Sequence, residues 1–158
     1  MTPFVLCALL ASGHAPREKV ERALGFVRRS IGAEDAIGYG DPELLEYPVY
    51  ATSLAILVLT RAGKQADRER IDMMANWLAR QQCGEHRGFE PGAAAYGAFG
   101  FGARGLRPGD PGHVDLTHTR LALQALAAAG RLDEAVRKCA LVLLGNLQCS
   151  DGGFYFSP

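Results

Sequence analysis

The segment His113-Val114-Asp115-Leu116-Thr117-His118-Thr119 holds the best cluster of proton-moving groups in this 158-residue chain. Asp115 and His118 are three residues apart, a spacing that lets both share one face of a helix. A carboxylate beside an imidazole suits general acid–base work: Asp115 as acid, base or cation stabiliser, His118 as proton carrier or metal ligand. The same residues also suit a helix start, because Asp115 or Thr117 can accept from a first-turn N–H, a role worth about 1 kcal/mol. Tyr47, Tyr50 and Thr52 enter an earlier apolar segment in the same way. Aromatic faces there can hold a carbocation by cation–π attraction or pack in a core.

Other chemistry is thinner. Cys7, Cys83, Cys139 and Cys149 form no CxxC pair and no zinc-like spacing with His14, His86, His113 or His118, so no metal site is expected. Unpaired cysteines point to a reducing compartment, the cytoplasm. The run from Gly92 to Gly112 carries Arg104 and Arg107, which can meet a diphosphate through forked hydrogen bonds. It lacks the phosphate-loop pattern, and a mobile surface loop is the plainer expectation. With 17 basic and 17 acidic side chains, nothing favours nucleic acid as a partner. No apolar stretch reaches the roughly 18–20 residues of a membrane span. At 48% apolar, the chain can fill the core of one domain.

The elements that must position these groups come as a repeat. Phe4–Gly13, Leu54–Gly63 and Leu121–Gly130 align as FVLCALLASG, LAILVLTRAG and LALQALAAAG. Leu6, Ile56 and Leu123 coincide, as do Leu9, Leu59 and Leu126. Thr2, Thr52 and Thr119 each stand two residues before their block. Each block reads as a helix apolar on most faces, stopped by glycine. For the first block this competes with a secretory leader, against which the absence of Lys or Arg before the apolar run counts. An amphipathic helix follows each: Val20, Ala23, Leu24, Val27 and Ile31; then Ile71, Met74 and Leu78; then Val136, Ala140, Leu143 and Leu147. Charges opposite these stripes, such as Arg17, Glu21, Arg28 and Arg29, are expected to be solvated. Gly38-Tyr39, Gly88-Phe89 and Gly153-Phe154 close the units. The predicted architecture is all-α: three helical hairpins over about 1–39, 47–89 and 114–156, with a Gly-rich loop at 90–113.

Two closing segments are more specific. Trp77-Leu78, Gln82 and Gly88-Phe89, and likewise Leu143-Leu144, Gln148 and Gly153-Phe154, resemble the QW-type repeat of the prenyltransferase and squalene-oxidase family. The first copy, from Phe26-Val27 to Gly38-Tyr39, has Ile31 in the Gln position. The tract Tyr96–Gly102 and the ending Gly152–Pro158 are similar to bacterial members of that family. The resemblance implies an α/α toroid, six inner helices around a cavity and six outer ones around them, of which three hairpins make half. It further implies an isoprenoid or other apolar small molecule as ligand, with Tyr50, Thr52, Asp115, His118 and Thr119 at the cavity. Half a ring leaves apolar flanks uncovered, so a fragment or self-association that completes the ring is expected.

The family's chemical signatures are not repeated here. There is no DxDD-type acid, and none of the eight Asp residues has Cys two positions on, as the prenyltransferase zinc site requires. Cys83-Gly84-Glu85-His86 resembles a complement-type thioester motif, but His86 occupies the place of the Gln that would form the bond. Three functions stay open: an isoprenoid-handling enzyme with no cofactor specified, a non-catalytic toroidal binding or scaffold module, and a glycan-active toroid. The last needs paired carboxylates, of which Asp115 is one plausible member.

Overall fold

Three helical hairpins follow one another along the chain in a computed structural model that describes residues 2–38, 47–102 and 105–158. They are α1 (Thr2–Ser12) with α2 (Arg17–Arg29), α3 (Pro48–Ala62) with α4 (Arg68–Ala79), and α5 (Leu116–Ala128) with α6 (Glu134–Leu147). Among the described residues there is no strand, only two isolated β-bridges, Gly100 with Val114 and Gln148 with Phe154. The chain is all-α. Gly13, Gly63 and Gly130 stop the first helix of each pair at φ of 69°, 66° and 68°, a left-handed conformation that costs a residue with a Cβ more.

The first helices pack in sequence, α3 against both α1 and α5, and α4 lies against α3. Burial follows the apolar periodicity. Val49, Ala55, Ile56, Val58 and Leu59 of α3 are fully buried, and Leu24, Val27, Met74, Leu78, Val136, Ala140, Leu143 and Leu147 mark the inward stripes of α2, α4 and α6. Leu6, Ile56 and Leu126 join one continuous core with Leu24, Met74 and Leu78. The register is not uniform: Leu9 is 39% exposed where Leu59 and Leu126 are sealed; among the described residues α1 packs chiefly on α2 and α3, whereas α3 lies between α1 and α5.

One outer charge departs from the expected solvated face. Arg28 reaches the start of α4, its Nε 2.8 Å from Asp67 Oδ1 and its Nη2 2.7 Å from Oδ2. Asp67 is buried, so this forked pair ties the first hairpin to the second rather than lying loose in solvent.

The Gly-rich segment also departs from a mobile surface loop. Ala95, Tyr96 and Ala98 are buried and form a second core with Cys83, Phe89, Leu143 and Leu147, while Phe99 is buried in the first core. Its backbone is held at both ends: Cys83 N–H donates to Ala98 O, Gly97 N–H to Cys83 O, and Phe99 N–H to Thr119 Oγ1. Gln82 completes the clasp, its Nε2 donating to Gly97 O at 3.1 Å and to Val136 O at 3.0 Å. That amide joins the second unit to the first turn of α6. Gln148, its counterpart, is exposed. Arg107 is exposed, while Arg104 and Tyr39 lie outside the described residues.

Candidate functional site

Asp115 sits where the backbone turns from extended to helical, with φ −158° and ψ 170°, and caps α5. Its Oδ1 accepts from His118 N–H at 2.8 Å, satisfying one of the first-turn donors that a helix leaves without an internal partner. The capping geometry folds the His118 ring back onto the same carboxylate: Nδ1 lies 3.0 Å from Oδ1 and 2.9 Å from Oδ2. From the other side His113 Nε2 lies 3.0 Å from Oδ2. Cap and acid–base pair are therefore one arrangement, not competing ones.

The carboxyl is 3% exposed. Burial alone would raise its pKa, but the His118 backbone N–H, the His118 ring and His113 outweigh it and hold Asp115 below the ordinary carboxylate range. In the neutral tautomer that a facing carboxylate favours, His118 Nδ1 carries the proton and Nε2 keeps its lone pair. That Nε2 is buried and has no hydrogen-bond partner among the described residues. Leaving such an acceptor unmade costs roughly 1–3 kcal/mol.

Rings gather around it. Phe101 stands 5.0 Å from the His118 ring, Tyr50 5.9 Å and Tyr47 6.3 Å, centroid to centroid. Phe101 meets Tyr47 edge-on at 4.4 Å and His113 at 4.3 Å. The chain brings Phe101 there through its backbone: Val49 N–H, a first-turn donor of α3, binds Phe101 O, and Phe101 N–H binds His113 O. Tyr47 precedes α3 and Tyr50 lies in its first turn, so the entrances of α3 and α5 and the Phe99–Phe101 segment converge on one imidazole.

Thr52 and Thr119 are placed differently from Tyr50. Both are sealed. Thr52 Oγ1 accepts from Ile37 N–H at 2.9 Å, and Thr119 Oγ1 accepts from Phe99 N–H at 3.0 Å while donating to Asp115 O at 2.8 Å. They are equivalent clasps, each pinning the segment before its helix, and their hydroxyls are committed to backbone rather than presented to a cavity. Recurrence of Thr at matching repeat positions was the signal for this role. Phe101 and His113, though both fall in segments the sequence marks out, were given no role there, since nothing in their spacing tells that the loop folds back onto α3.

Beyond Tyr50 the same face of α3 carries Leu54, Leu57 and Arg61 at helical spacing. These three, with Phe4, Cys7 and Ala8 of α1, Thr60 and Ala128, line an apolar groove of about 470 Å³. A larger cavity of about 590 Å³ adjoins His113, with Phe89 and Val114 in its wall. Cys83 is buried and its thiol pushed up by that burial, with Arg87 opposing, so it is poorly suited to act as a nucleophile. Among the described residues no three His, Cys, Asp or Glu side chains are grouped to hold a metal ion, and no helix is long and apolar enough to cross a membrane. Comparison with protein-family profiles, with curated proteins and with solved structures gave no match.

Proposed function

We propose that this chain forms part of an α/α toroid of the prenyltransferase and squalene-cyclase repeat type. It would bind an isoprenoid or other apolar small molecule across the inner face of its first helices, with Asp115 and His118 as an acid–base pair at one end. The observation that carries the reading is the unpartnered Nε2 of His118, oriented by Asp115 and enclosed by Tyr47, Tyr50 and Phe101. In that arrangement Nε2 takes a proton from a bound molecule, and the Asp115 carboxylate stabilises the imidazolium that results. The apolar groove along Leu54 and Leu57 supports a hydrocarbon body lying beyond it.

Calorimetric titration with a prenyl alcohol and with squalene tests this. Binding is expected for at least one of them, weakened up to about tenfold in Tyr50→Ala, since losing an aromatic contact is worth about 0.5–1.5 kcal/mol. If neither compound binds, the apolar-ligand reading falls.

A second reading concerns assembly. Phe89, which closes the second unit, is buried, whereas Phe154 in the equivalent place is 49% exposed, and Tyr155, Phe156, Leu141 and Val142 are exposed as well. Exposed apolar side chains in this number favour association, and a second copy completing the ring is the proposed occupant. Light scattering on a size-exclusion column should give a dimer that Leu141→Glu dissociates; a monomer throughout the micromolar range removes self-association from the proposal.

A further inference from the structure

The polarity of the buried imidazole specifies more than an apolar ligand. With Nδ1–H directed to Asp115, the neutral His118 ring offers only an acceptor at Nε2, so a group that satisfies it must bring a hydrogen. Among the described residues the rings around it are those of Tyr47, Tyr50, Phe101 and His113, and the charge behind the ring is the negative one of Asp115. Among the described residues, the charged groups acting on that carboxyl are His118 and His113. An anionic head group would meet the Asp115 carboxylate, whereas a neutral hydroxyl would complete the unmade bond without that repulsion.

We infer that the site selects an apolar molecule ending in a neutral hydroxyl, a prenyl-type or aromatic alcohol whose O–H donates to His118 Nε2. The inference rests on the apolar-ligand reading above and narrows it. The hydrocarbon body follows α3 from Tyr50 toward Leu54 and Leu57, and of these Leu54 and Leu57 line the 470 Å³ groove. Entry requires one ring to move, and Tyr47, 40% exposed ahead of α3, is the least confined of the three.

The test uses the full chain and three probes of one carbon skeleton: farnesol, its methyl ether, which accepts but cannot donate, and farnesyl diphosphate. Farnesol is expected to bind about tenfold more tightly than the ether and more tightly than the diphosphate, a factor typical of one buried hydrogen bond. In His118→Phe, which keeps a ring and removes the acceptor, alcohol and ether should bind alike. Equal affinity of alcohol and ether for the native chain, or tighter binding of the diphosphate, overturns the hydroxyl assignment and leaves the apolar-ligand reading standing. Failure of all three to bind removes both. Because the comparison is made on the native chain, it holds even if the His118 variant does not fold.

Discussion

Gly97→Ala is expected to lower the melting temperature by more than about 8 °C, corresponding to roughly 4 kcal/mol in a domain of this size. Two costs combine. Gly97 has φ of 87°, where a side chain adds about 1–2 kcal/mol. A Cβ at this position would also fall on the Cys139 carbonyl of α6, backbone that cannot swing aside, and overpacking of that kind costs about 1–3 kcal/mol. The carbonyl of Gly97 receives Gln82, and its N–H donates to Cys83 O, so the damage reaches the joint between the second and third hairpins. The same shift would loosen the segment that carries Phe101 to His118. Gly92→Ala is the control: its Cβ would meet open space, and the change should stay within about 0.5 kcal/mol. Thermal melts followed by circular dichroism separate the two. Similar melting for both variants would refute the close contact with α6.

Asp115→Ala should cost about 3 kcal/mol at neutral pH. The cap accounts for about 1 kcal/mol, and the polar groups stranded on His118 and His113 for the rest. Asp115→Asn keeps an oxygen for the His118 N–H and should cost about 2 kcal/mol, so the difference of about 1 kcal/mol between the two measures the cap. The pH dependence has a definite sign. The folded pKa lies below the unfolded one, so the contribution of the ionised carboxyl is complete above about pH 4 and fades as pH falls through the folded value. Chemical denaturation at several pH values should therefore show the gap between native and Asp115→Asn chains narrowing in acid. A gap that widened below pH 4 would contradict the assignment. Ligand binding divides the roles further: Asn can no longer hold Nδ1 as the sole protonated nitrogen, so alcohol binding should weaken even where folding is nearly intact.

The helical hairpins could be read along the chain because burial on one side imposes a period of 3–4 residues, and that period survives without knowledge of any partner. Leu24 and Val27, Met74 and Leu78, Leu143 and Leu147 all turned inward as their spacing requires. Glycine after each first helix likewise declared its turn, since its freedom is local. Asp115 and His118 were legible for the same reason: three residues on a helix place them together whatever else packs nearby.

Groups that depend on distant contacts were not. Arg28 was read as a solvated charge because its partner, Asp67, lies 39 residues away and is buried only when α2 reaches the start of α4. The Tyr96–Phe101 segment was read as loop, since its glycines suggest freedom; the fold uses them instead for close approach to α6 and to His113. Thr52 and Thr119 carried a polar group that sequence alone assigns to ligand or backbone with equal ease. Sequence by itself determined the helices, their inward faces and the Asp115–His118 pair, all set by interactions within a few residues. Only the tertiary structure decided what surrounds that pair and which hydroxyls are spent on backbone, because those outcomes follow from chain segments that meet only when the hairpins pack.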